Sequence, residues 1–84
     1  MEKSIYSAEY QQVCELLRQL RREAGLTQAQ VAEALGVPQS FVSKYESGQR
    51  RLDVVELRHV ATVLRVSVPA FLSRLSRTWN QQSE

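Results

Sequence analysis

Thr27-Gln28-Ala29-Gln30-Val31-Ala32-Glu33-Ala34-Leu35-Gly36-Val37-Pro38-Gln39-Ser40-Phe41-Val42-Ser43-Lys44-Tyr45-Glu46-Ser47 is the most informative stretch of this chain. Thr27, with Gln30 three residues on, has the form of a capping box, in which each side chain satisfies the other residue's free backbone amide. Val31, Ala32 and Leu35 then share one side of a short helix, and Gly36 stops it. Val37-Pro38 reopens the chain: proline disfavours helical geometry in the residue before it, while its own fixed φ suits a first helical turn. A second short helix follows to about Ser47, with Gly48 as its stop. The pattern predicts two helices joined by a tight turn containing glycine.

A turn of about 100° per residue sorts the second of these helices into two faces. Measured from Gln39, Val42 and Tyr45 fall at about 300° and about 240°, whereas Gln39, Ser43, Ser47, Ser40 and Lys44 spread from zero to about 140°. One face is apolar, and the other consists entirely of hydrogen-bonding side chains. Glu46, at about 340°, and Phe41, at about 200°, lie on the two borders. Glu46 is placed to turn inward, and Phe41 to pack on the neighbouring helix or the following loop. Glutamine can pair bidentately with adenine, lysine can donate to guanine, and serine can take either part, while no carboxylate on this face repels phosphate.

Upstream, Tyr10, Val13, Cys14, Leu17, Leu20 and Ala24 recur at three- and four-residue steps, predicting a helix over residues 8–24 that Gly25 ends. Arg21 falls on the same stripe, so its guanidinium must be partly buried and requires an acidic partner. Downstream, Asp53 and Glu56 form another capping box, and Leu57, Val60, Ala61 and Leu64 give a fourth helix. A fifth begins near Ser67 or Val68, has Pro69 in its first turn, and carries Phe71, Leu72, Leu75 and Trp79 on one side. There is no strand pattern and no internal repeat. Residues 8–79 are expected to form one all-α domain of five helices, between a flexible segment at 1–7 and a frayed tail at 80–84 that has nothing to bury.

With 84 residues the chain holds one small core. Its single cysteine, Cys14, lies on the apolar stripe as a core residue and offers no disulfide framework, so oligomerisation is the remaining route to added stability. No apolar run approaches the roughly 18 residues of a membrane span, and residues 1–6 lack the pattern of a signal peptide, which points to a cytoplasmic protein. The net charge of +2 and a pI near 9.0 permit a nucleic-acid partner without requiring one. Residues 28–49 carry one basic and two acidic groups, and residues 50–77 carry six and two. Attraction for a polyanion must therefore come from the flanks, chiefly Arg50 and Arg51.

The stretches Leu20-Arg21-Arg22-Glu23-Ala24-Gly25-Leu26-Thr27-Gln28, Val31-Ala32-Glu33-Ala34-Leu35-Gly36-Val37 and Gln39-Ser40-Phe41-Val42-Ser43-Lys44-Tyr45-Glu46-Ser47-Gly48 resemble the Cro and phage-repressor (XRE-type) helix-turn-helix family. The resemblance continues through Leu57, Ala61, Leu64 and Phe71-Leu72. It implies a lambda-repressor-like DNA-binding domain in which Gln39, Ser40, Ser43 and Lys44 face bases and adjoining phosphates. Gln28 would anchor a backbone phosphate, Arg50 and Arg51 would run along the backbone or into the minor groove, and Arg21 and Glu46 would form an internal ion pair. Two positions depart from the pattern. Pro38 replaces a hydroxyl residue, so the helix after it lacks a side-chain cap. Arg65 stands where glycine usually ends the fourth helix, at a cost of about 1 kcal/mol if its backbone is left-handed.

Together these readings point to a regulator that binds a palindromic operator on double-stranded DNA as a homodimer, with contacts at Leu75 and Trp79 expected to join the copies, and that acts as a repressor. Control is expected through the protein's own concentration or a regulatory partner protein, since the chain has no room for a separate sensor domain. The alternative is a protein-interaction module, or antitoxin-like partner, that retains the fold. No nucleophile, base and orienting group form a recognisable catalytic arrangement, and His59 has no histidine or cysteine at metal-ligand spacing, so neither enzyme activity nor a metal or other cofactor is expected.

Overall fold

The computed structural model describes residues 3–82, with side chains described for 8–80. Five helices follow one another: α1 (Lys3–Glu23), α2 (Gln28–Leu35), α3 (Gln39–Ser47), α4 (Val54–Val63) and α5 (Val68–Gln82). No strand occurs among the described residues. α1 starts upstream of the residue at which its apolar stripe begins, since no glycine or proline precedes Gly25 to interrupt it. α5 continues past Trp79 to Gln82.

Both capping boxes are formed. Thr27 Oγ1 accepts the Gln30 amide at 3.1 Å and Gln30 Oε1 accepts the Thr27 amide at 2.9 Å. Asp53 and Glu56 repeat this at the start of α4, at 2.7 and 2.9 Å. At α3 the cap position is Pro38, with φ −65° and no side-chain hydrogen bond. Ser67 Oγ accepts the Ala70 amide at 3.1 Å, which sets the start of α5.

α1 packs on α3 and α5, α2 on α3 and α4, and α4 on α5. The core between them comprises Leu17 and Leu20 of α1, Val31 and Ala32 of α2, Val42 and Tyr45 of α3, Val60 and Leu64 of α4, and Phe71 and Leu75 of α5. Leu16 is buried as well, although it stands off the α1 stripe. A helix that serves two neighbours needs a wider apolar surface than one stripe provides.

The turn between α2 and α3 uses Gly36 at φ +73°, its amide bonded to Glu33 O at 3.1 Å and the Val37 amide to Ala32 O at 3.0 Å. Arg65 makes the same pair of bonds after α4, its amide to Thr62 O at 3.1 Å and the Val66 amide to Ala61 O at 3.0 Å. It does so at φ +65°, the only described non-glycine residue with a positive φ. The left-handed turn is thus built without the residue that makes it cheap.

Candidate nucleic-acid interface

α3 buries one side completely. Val42 and Tyr45 point into the core, and Gln39, Ser40, Lys44 and Ser47 are exposed on the other side with Ser43 half-buried beside them. The Ser43 hydroxyl donates to Ser40 O at 3.3 Å and that of Ser47 to Lys44 O at 3.1 Å, so each oxygen offers its lone pairs outward. Phe41 is half-buried and meets Tyr45 edge-on, with ring centres 5.9 Å apart.

The one acid of this helix is turned away from the polar face. Glu46 is 3% exposed and its carboxylate receives Arg21 Nε at 2.7 Å and Nη2 at 3.1 Å. Arg21 also donates from Nη1 to Leu26 O at 2.9 Å. Arg18 adds a hydrogen bond from Nη2 to the Glu46 backbone carbonyl at 3.2 Å. The hydrogen bonds to Glu46 push the Arg21 pKa up against the opposing effect of burial. A charged, multiply bonded pair is the arrangement in which a buried carboxylate is tolerated.

Gln28, at the start of α2, donates from Nε2 to Glu46 Oε1 at 2.9 Å, which ties the helix start to the same network. An amide nitrogen carries two hydrogens, so one remains for a partner outside the chain.

The loop after α3 is held from both sides. The Tyr10 hydroxyl donates to Arg50 O at 3.2 Å and accepts the Leu52 amide at 3.1 Å. Burial pushes the Tyr10 pKa up, so the hydroxyl keeps its proton at neutral pH. Arg51 lies over the Tyr10 ring at 4.8 Å, with its surface exposed. Arg50 is more engaged than a free surface cation: its guanidinium lies over the Phe41 ring at 4.5 Å and donates to Glu56 Oε2 at 2.5 Å. Sequence reasoning placed Tyr10 on a stripe, Phe41 on a border and Glu56 in a cap, and missed that all three hold this loop. The only signal was the short spacing between Arg50 and Glu56 across a turn whose path periodicity does not give.

The two residues expected at a dimer contact separate. Leu75 is 3% exposed within a single chain, so it belongs to its own core, a correction that follows from α5 packing on α1 and α4. Trp79 is 37% exposed and Leu72 49%, and seven residues apart they lie on the same side of α5.

A family model for the helix-turn-helix matches residues 17–71. In sequence, the chain is 44% identical over 48 residues to the uncharacterized HTH-type transcriptional regulator y4dJ of Sinorhizobium fredii, which covers 57% of this chain and 62% of that protein. In structure, it resembles an XRE-family like protein from Pseudomonas syringae, with TM-score 0.83 and 43% identity over 90% of this chain and 93% of the other. It also resembles the restriction-modification controller protein C.Esp1396I, with TM-score 0.76 and 25% identity over 82% and 91% of the two chains. The chain belongs to the XRE-type helix-turn-helix family, and its fold is that of DNA-binding transcription regulators.

Proposed function

We propose that this protein is a sequence-specific transcriptional regulator that binds duplex DNA as a homodimer on a roughly palindromic operator and acts as a repressor in the cytoplasm. The observation that carries the reading is the polarity of α3: Gln39, Ser40, Ser43 and Lys44 face outward, and its one acid, Glu46, is sealed inside. Base edges require hydrogen-bonding groups in that arrangement, and phosphates on either side tolerate no carboxylate there. Gln28 and the Arg50-Arg51 loop flank the same helix and set its register through the backbone. Two copies joined through Trp79 and Leu72 would offer their α3 helices to successive major grooves about 34 Å apart. Likeness to an HTH-type transcriptional regulator and to a restriction-modification controller supports a regulatory role.

Selection of bound fragments from a random DNA pool tests this directly. Two half-sites one helical turn apart are the expected product. Gln39→Ala and Lys44→Ala should each weaken binding to the selected fragment by about 1 to 3 kcal/mol and relax preference at particular base pairs. A folded double variant with undiminished affinity and preference would reject the assignment. Binding that does not respond to salt would instead favour a protein partner for this face.

A further inference from the structure

Arg50 lies between α3 and α4, stacked on Phe41 at 4.5 Å and bonded to Glu56 Oε2 at 2.5 Å. The other oxygen of that carboxylate accepts the Asp53 amide at 2.9 Å, as half of the α4 capping box. Glu56 therefore cannot follow Arg50 outward without uncapping the helix. Capping does not need its charge: in the box that opens α2, the neutral Gln30 accepts the Thr27 amide at the same distance, 2.9 Å. An acid also suits the positive end of a helix dipole, but that requires no contact with Arg50. The charge on Glu56 is thus available to neutralise Arg50 at a fixed position.

On the DNA-binding reading above, we propose that Glu56 is a specificity-determining residue, which holds Arg50 as a neutral, stacked pair and so lowers affinity for DNA of arbitrary sequence. Sequence-independent binding scales with the number of cations that displace counterions from phosphate. A guanidinium already matched by a fixed carboxylate gains little from a loosely placed phosphate, and the carboxylate repels that phosphate. Only a fully seated complex, with a phosphate fixed beside Arg50, offers enough to displace the pair. Weakening the wrong complexes discriminates as effectively as strengthening the right one. Arg51, stacked on Tyr10 with no ion-pair partner among the described residues, remains the uncompensated cation of the loop.

The test is binding to a short random-sequence duplex, followed by fluorescence anisotropy between about 50 and about 200 mM salt. Glu56→Gln keeps the cap and removes the charge. It should bind the random duplex roughly five- to tenfold tighter at low salt, steepen the log–log salt slope by about 0.9 per chain, and narrow the ratio between a selected fragment and random DNA. The double variant Arg50→Ala/Glu56→Gln should lose this gain. Glu33→Gln makes the same change in net charge at an exposed site on α2 and should move the slope much less. Phe41→Leu removes the stack and leaves the carboxylate, and should shift random binding the same way by a smaller factor. Unchanged or weaker random binding in a folded Glu56→Gln variant, an equal gain in Glu33→Gln or in the double variant, or a shift of Phe41→Leu in the opposite direction overturns the proposal. Wild-type protein that binds duplex without salt dependence overturns the DNA reading, and this proposal with it.

Discussion

Glu46 shows how one residue can serve the reading helix by leaving its surface. Its carboxylate is held by Arg21 and Gln28, with Arg18 Nε further off at 3.9 Å, and removing Arg21 leaves a buried carboxylate with only that long contact to a cation. Arg21→Ala should therefore cost about 3 kcal/mol or more, a large share of a small domain's stability, measured by urea denaturation. A loss below about 1 kcal/mol would mean the pair is screened as a surface bridge is. Tyr45, beside it, has a fully buried hydroxyl with no hydrogen-bond partner among the described residues. Tyr45→Phe should leave stability at neutral pH unchanged or raise it by about 1 kcal/mol. Burial raises the pKa of Cys14, Tyr10 and Tyr45 above their ordinary values of 9.0, 10.0 and 10.0. Folding favours the protonated forms, so the stability they contribute is full below about pH 9 and falls as pH rises past the ordinary values toward the raised ones. Urea midpoints measured from neutral to alkaline pH should show that decline, and Tyr45→Phe should reduce it.

At the scale of elements, the turns after α2 and α4 are the same device made with different residues. A Cβ on Gly36 would meet nothing within 4 Å, so Gly36→Ala tests backbone strain without a clash. It should lower stability by about 1 to 2 kcal/mol, the left-handed penalty of an L-residue. Arg65→Gly should do the reverse, raising stability by about 0.5 to 1 kcal/mol once the greater freedom of glycine in the unfolded chain is allowed for. Paired thermal melts decide both, and opposite signs are the required result. The strain at Arg65 is local to the α4–α5 turn, away from the α3 face.

For the whole molecule, α5 divides its apolar residues between two tasks. Leu75 fills the core of its own chain, so Leu75→Ala should cost about 2 to 5 kcal/mol in chemical denaturation. Trp79 and Leu72 keep exposed surface, and on the dimer reading Trp79→Ala with Leu72→Ser should shift sedimentation toward the monomer while leaving helix content intact. Loss of the dimer should weaken binding to a two-half-site fragment far more than to a single half-site, because the second contact is then no longer intramolecular. Sedimentation unchanged by the double substitution would place the dimer contact elsewhere.

The chain order alone sufficed to place the five helices, though not the start of α1 at Lys3 or the end of α5 at Gln82, because each signal lies within four residues of its partner: Thr27 with Gln30, Asp53 with Glu56, Val37-Pro38 after Gly36, and the alternation of Val42 and Tyr45 with Ser43 and Lys44. Such contacts are dictated by the pitch of a helix, whatever it packs against. The need for a partner to Arg21 was legible in the same way. Its full setting was not, since Glu46 gathers donors from α1 and α2, and those meetings depend on how three helices cross. Helix crossing likewise decided that Leu16 is buried, and that Leu75 goes to the core while Trp79 stays at the surface. The helix-turn-helix over residues 27–47 was thus readable from local chemistry, whereas the pairing of Arg50 with Phe41 and Glu56 arises only when α4 returns beside α3.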